Sequence, residues 1–204
     1  MPGQRQKYIP ARFTVGQRRR QNGQAILESM LVMLVVCLLF FGLLQIFHLT
    51  AAKMITDYSA ATAGRSSAVG FAEYLVDRNG RCASIAASGA LTYPSGYGNT
   101  NPISQYANER ILIPQYIVGD NWLEYQYWYG GETTIFSSED EDSTVNTSLG
   151  ISQNRSTTGL TTVRAGFNDY PLVMPMRYLF TTSKATNIAS EATYVDFATE
   201  YLDE

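Results

Sequence analysis

The chain has 204 residues, room for one ordinary domain and a membrane anchor at about 100–200 residues per domain, so a large multidomain enzyme is excluded. Its net charge of -3 conceals an asymmetry: residues 1–23 carry Arg5, Lys7, Arg12, Arg18, Arg19 and Arg20 and no acid, which leaves the remainder strongly acidic. An acidic body without clustered cations excludes a nucleic-acid partner, because phosphate binding needs such clusters.

Residues 1–23 are polar, cationic and nearly free of aliphatics, which reads as an address segment and not a domain. Residues 25–49 then form an apolar run broken only by Glu28, Ser29, Gln45 and His48. A helix needs roughly 20 such residues to cross a bilayer core, and membrane lipid is therefore an expected partner. With the cations ahead of the run and only Lys53 soon after it, the positive-inside rule puts the amino terminus in the cytoplasm and residues beyond about 50 outside. An ordinary secretory signal is cleaved after its apolar core. Here the candidate cleavage site precedes the run, in Arg18-Arg19-Arg20-Gln21-Asn22-Gly23-Gln24-Ala25-Ile26-Leu27-Glu28.

That arrangement resembles a type IV prepilin processing site, which is cut after a small residue and leaves Glu fifth in the mature chain; counted from Gln24, Glu28 is fifth. Together with the aliphatic run and Asp57-Tyr58-Ser59-Ala60-Ala61-Thr62-Ala63-Gly64-Arg65, it is similar to the TadE-like pseudopilins of the tight-adherence (Tad) pilus system. The resemblance implies cleavage between Gly23 and Gln24 by a prepilin peptidase. It also implies partnership with a major pilin, a second pseudopilin and the inner-membrane pilus assembly platform. Gln24 and Ser29 stand where aromatics are common in the family, which favours an accessory subunit. Physics gives Glu28 a role of its own: an unpaired carboxylate in the apolar region costs about 2.5 kcal/mol or more, so it needs a partner or a proton. The new amine of Gln24 on a neighbouring subunit would supply one and fix the axial register. A reading from another class is a signal-anchored extracytoplasmic binding or sensing protein that keeps residues 1–23, with Glu28 at the headgroup level.

Beyond the membrane, Ala51, Met54, Tyr58, Ala61, Arg65, Ala68, Ala72 and Leu75 recur at helical steps, and Gly80 is the expected helix stop. The organisation expected is α+β: a leader at 1–23, a transmembrane helix at 24–50, its continuation at 51–78 and a small antiparallel β-rich domain at 79–204. Pro102 opens a short helix with Ile103, Tyr106, Ala107, Arg110 and Ile111 on one side, ended by Pro114. Residues 121–129 alternate as a strand, Gly130-Gly131 turns, and residues 133–137 return. Residues 138–158 read as an exposed loop. Strands follow at 161–168 and 172–180, parted by Asp169-Tyr170-Pro171, with a closing strand at 187–197 for which helix is an alternative.

The chemistry on offer is thin. Glu139, Asp140, Glu141 and Asp142 would attract calcium but lack the spacing and turn glycine of a calcium loop, so a solvated acidic loop is the plainer reading and no metal is expected. His48, the single histidine, suits the headgroup boundary better than catalysis. No Gly-x-Ser-x-Gly, phosphate-binding loop or His-Glu-x-x-His occurs, so neither an enzyme nor a cofactor is expected. Tyr125, Tyr127 and Trp128 form either an adhesive aromatic surface or the filling of a thin core. Cys37 lies within the apolar run and Cys82 well past it, so an intrachain bridge is not expected; Cys82 is a free thiol, an intersubunit link or a small buried residue.

Overall fold

Leu, Met, Ala and Gln lose little rotamer freedom in a helix, and the apolar run rich in them lies within helix α1, Val15–Ala68. The computed structural model describes residues 15–94, 102–119, 121–135, 143–172 and 183–197. The chain is α+β. After α1 come α2 (Glu73–Ser84) and α3 (Pro102–Val118), with strands β1 (Leu91–Tyr93), β2 (Glu124–Tyr125), β3 (Tyr129–Ile135), β4 (Ser143–Arg155), β5 (Leu160–Pro171) and β6 (Ala185–Val195). Two compact units divide it, Met1–Phe41 and Gly42–Glu204.

In the first unit, α1 presents aliphatic side chains in every direction: Ile26, Leu27, Met30, Leu31, Val32 and Leu34 are all more than half exposed. A helix apolar on all sides belongs in a bilayer or among other helices, not in water. Its span Gly23–Ala68 is long and apolar enough to cross a membrane.

In the second unit, the later part of α1 packs through small residues. Ala52, Thr56, Ser59, Ala60, Ala63 and Ser67 are buried, while Met54, Tyr58 and Arg65 are exposed. The stripe expected from the sequence thus runs beside the packed face. Small side chains admit close neighbours, and their hydroxyls are satisfied locally: Thr56 Oγ1 donates to the Ala52 carbonyl at 2.8 Å and Ser59 Oγ to the Gly80 carbonyl at 2.7 Å. The helix also stops earlier than expected. Gly70, with φ of 90°, turns the chain, and the Gly70 and Phe71 amides close back on the Ser67 and Ser66 carbonyls. Gly80 is no stop; it sits buried inside α2, where a Cβ would meet Ile151 Cδ1 at 2.6 Å and Ala63 Cβ at 3.2 Å. Glycine there serves close approach.

Helix α3 starts at Pro102 as expected but runs through Pro114 to Val118. Proline removes a donor for the Arg110 carbonyl, and Arg110 and Pro114 lie on the exposed side, where water replaces it. The face picked out by the sequence is the outer one: Ile103, Tyr106 and Ile111 are 78%, 69% and 62% exposed, and Leu112 and Tyr116 make the packed side.

The main sheet has four antiparallel strands in the order β3-β4-β5-β6, beside a two-stranded β1-β2 ribbon. The strand expected over 121–129 shrinks to β2, because the chain turns after it: the Trp128 amide donates to Tyr125 O, and the Gln126 and Tyr127 amides reach back to Ala90 O and Ser88 O. Gly130 and Gly131 are not a turn but part of β3, at a register shift against β4. The expected loop at 138–158 contains β4, an interior strand whose Val145, Thr147 and Leu149 point inward while Asn146 and Gly150 face water. The expected break at Asp169-Tyr170-Pro171 is a bulge within β5, where Asp169 takes a φ of 52° and its amide donates to Asn187 Oδ1 at 2.9 Å. The closing segment is a strand, β6. Residues 136–142 and 173–182, with the acidic run and most of the strand expected at 172–180, lie outside the described residues.

Candidate functional site

The first site candidate is the start of the apolar helix. Gly23, Gln24 and Glu28 are all helical and exposed. A Cβ on Gly23 would meet nothing within 4 Å, although a mid-helix glycine costs about 1 kcal/mol relative to alanine. Nothing among the described residues therefore requires glycine at that position. Glu28 has no ion-pair partner among the described residues, and Leu27, Met30, Leu31 and Val32 surround it with exposed aliphatic surface.

In the second unit, α1 is fastened from Lys53 to Ala68. Lys53 Nζ donates to Asp57 Oδ1 at 2.7 Å and to the Ala189 carbonyl of β6 at 2.6 Å, and Ser190 Oγ donates to the same Asp57 oxygen. A Cβ at Gly64 would lie 2.6 Å from Tyr194 Cε2, so the tyrosine ring rests on the helix backbone. At the helix end, Ser67 Oγ donates to Gln153 Oε1 at 2.9 Å, Arg155 Nη2 donates to the Ser67 carbonyl at 3.2 Å, and the Phe197 amide donates to Ala68 O at 3.0 Å. The segment 57–65 singled out in the sequence is thus the part of α1 on which β6 and α2 are mounted.

Tyr125, Tyr127 and Trp128 are not a binding surface. They are 1%, 8% and 1% exposed and build the core together with Tyr116, Phe167 and Tyr170. Trp128 lies 4.8 Å from the Tyr125 ring and 5.9 Å from Tyr116, and its Nε1 donates to Ser88 Oγ at 2.8 Å. Tyr125 Oη donates to Glu109 Oε1 at 2.9 Å. Burial, with smaller contributions including the Glu109 carboxylate, pushes the Tyr125 hydroxyl far above its ordinary range. Burial also carries Tyr170 up to about 12. Alternation along 121–129 revealed the aromatics; only the turn after β2 decides that they face inward. The His48 ring lies 5.6 Å from the Tyr170 ring, tilted by 32°.

Both cysteines are free. Burial raises the Cys82 thiol to about 11, with the Arg78 charge opposing. Cys82 should therefore react with a soluble alkylating reagent at pH 8 about two orders of magnitude more slowly than an unhindered cysteine, and speed up about tenfold per pH unit toward pH 10. Labelling of the Cys37→Ser protein followed by intact mass measures this. A rate like that of free cysteine contradicts it.

An open cleft of about 450 Å³ between α2 and β4 is lined by Glu73, Tyr74, Val76, Asp77, Ile151 and Gln153. Arg81 Nε holds Asp77 Oδ2 at 2.7 Å. Among the described residues no three His, Cys, Asp or Glu side chains are grouped to hold a metal ion. Searches against protein-family models, curated proteins and solved structures found no match to this chain.

Proposed function

We propose that the chain is a pseudopilin that acts in assembling a Tad-type type IV pilus, after a prepilin peptidase removes residues 1–23 between Gly23 and Gln24. The observation that carries the reading is Glu28, an exposed acid without an ion-pair partner among the described residues, on a helix whose other faces are exposed and aliphatic. Such a helix is stable in lipid, but a carboxylate there costs about 2.5 kcal/mol or more until it is paired or protonated. Packing among pilin helices relieves that cost when the Gln24 amine of a neighbour meets Glu28. The glycine at 23, which the fold does not demand, supports a requirement imposed from outside the chain, namely the peptidase's approach to the scissile bond. Function is then insertion and not catalysis: single-pass in the inner membrane, amino terminus in the cytoplasm, outer unit outside, with a major pilin, a second pseudopilin and the assembly platform as partners.

The test is Glu28→Ala against Glu28→Asp in the native cell. Both variants should enter the membrane as wild type does, since Glu28→Asp keeps the charge and Glu28→Ala removes one, which favours insertion. Glu28→Ala should lower pilus assembly by about seventyfold, the equivalent of 2.5 kcal/mol, with partial recovery in Glu28→Asp. Normal piliation in Glu28→Ala would sink the role given to Glu28.

A further inference from the structure

Helix α1 begins at Val15 and continues through Gly23 and Gln24 to Ala68. In the regular pattern of an α-helix the Gly23 carbonyl accepts from the amide four residues on, that of Leu27, and the Gln24 amide donates to the Arg20 carbonyl. The bond cut in the proposed processing therefore has both its polar groups engaged within the helix. Hydrolysis adds water at the Gly23 carbonyl carbon, breaks the C–N bond and passes a proton to the Gln24 nitrogen, which leaves as an amine. That attack needs the carbonyl clear of its helical neighbours.

The segment ahead of the bond is a poor helix on every local count. Its first turn holds no acid, and Arg18, Arg19 and Arg20 stand within its first two turns, where cations oppose the macrodipole. Gly16, Asn22 and Gly23 are weak helix formers. A short polar helix in water is marginal even with good formers, isolated helices needing about 12–15 residues or more. A Cβ at Gly23 would meet nothing within 4 Å, so no packing among the described residues opposes opening there. From Ala25 onward the balance reverses, because the run is apolar and backbone groups opened in lipid would find no water to bond. Unwinding from Val15 is easy as far as the Gly23–Gln24 bond and no farther.

We propose that residues 15–23 unwind from α1 to present the Gly23–Gln24 bond to the peptidase in extended form, and that Asn22, beside Gly23, sets how readily they do so. Asn22 is then a positioning residue for processing, acting through helix stability and not through contact. This rests on the processing reading given above.

The test keeps Gly23 in every variant, so that approach of the peptidase to the bond is unchanged. In pulse-labelled native cells, Asn22→Ala, which strengthens the helix, should slow the loss of residues 1–23 by about threefold. Gln21→Gly should speed it by about the same factor, and the double variant should return close to wild type. Amide hydrogen exchange of the full chain in lipid vesicles reads the opening without the peptidase. Exchange at residues 21–24 should be faster than in the apolar run, and about threefold slower in Asn22→Ala than in wild type. Protection of these amides equal to that of the apolar run overturns the proposal. So do processing rates that all three variants leave unchanged, or a slowed Asn22→Ala that Gln21→Gly fails to rescue. Residues 1–23 retained by the wild-type chain, whatever the exchange result, would sink the processing reading itself and this proposal with it.

Discussion

Trp128→Ala should destabilise the outer unit by about 3–5 kcal/mol, the usual cost of emptying a large aromatic site in a core. The side chain is 1% exposed, rests against Tyr125 and Tyr116, and donates its indole N–H to Ser88 Oγ, so truncation removes packing and strands a hydroxyl network together. The control is Trp122→Ala, more than half exposed, which should cost under about 1 kcal/mol. Urea midpoints followed by protease resistance of the outer unit in native membranes would separate the two. Equal losses would mean that the buried position of Trp128, and the correction of the adhesive-surface reading with it, is wrong.

Gly131→Ala should be comparably damaging for a different reason. A Cβ on Gly131 would stand 1.8 Å from the Gln126 carbonyl oxygen and 2.8 Å from its carbon, and those are backbone atoms that cannot swing aside. Either the turn after β2 or the start of β3 must move, which also disturbs Trp128, whose carbonyl accepts from the Leu149 amide at 3.3 Å. Loss of several kcal/mol is expected, enough to take much of a typical domain stability of about 5–15 kcal/mol. Gly150→Ala in β4 is the matched control: a Cβ there meets nothing within 4 Å, so the change should stay within about 1 kcal/mol. If both glycines tolerate alanine equally in the same protease assay, the crossing of β2 and β3 is not as described.

These two expectations fall where sequence and structure parted. The apolar helix was legible because its signal is composition over many residues, and β5 was legible up to its bulge because alternation marks a half-buried strand, while β6 was legible as a strand only with helix left open. Strand β4 was not, since its inward positions include Thr147 and Gln153, and Asn and Ser on a water-facing side make a sheet strand read like a loop. The stop of α1 was misplaced because Gly70 and Gly80 look alike in sequence; one adopts a positive φ and the other is needed for helix contact. For α3 the apolar periodicity was visible, but periodicity does not say which of two apolar sides meets the core. Glu28 and Gly23, on which the proposed function rests, stand out in the sequence by their order relative to the apolar run, and the structure adds that both are helical and exposed. The burial of Tyr125, Tyr127 and Trp128 depended on contacts between Ser84, Ser88 and Trp128, separated by some forty residues.

Residues 57–65 of α1 carry the sheet of the second unit. Lys53, Gly64 and Ser67 tie this part of the helix directly to β6 and β4. Gly64→Val, which forces the Tyr194 ring off the helix, should loosen that connection while leaving membrane insertion intact. Accelerated proteolysis between α1 and β6 in otherwise membrane-bound protein is the expected readout, and unchanged proteolysis would contradict it.

The most direct measurement is the intact mass and amino-terminal sequence of the protein purified from its native membrane, beside a Gly23→Val variant and a strain lacking the prepilin peptidase. A mature chain beginning at Gln24 in the first sample, with residues 1–23 retained in the other two, is the predicted result. Residues 1–23 retained in all three would contradict the pseudopilin account and leave a signal-anchored outer unit.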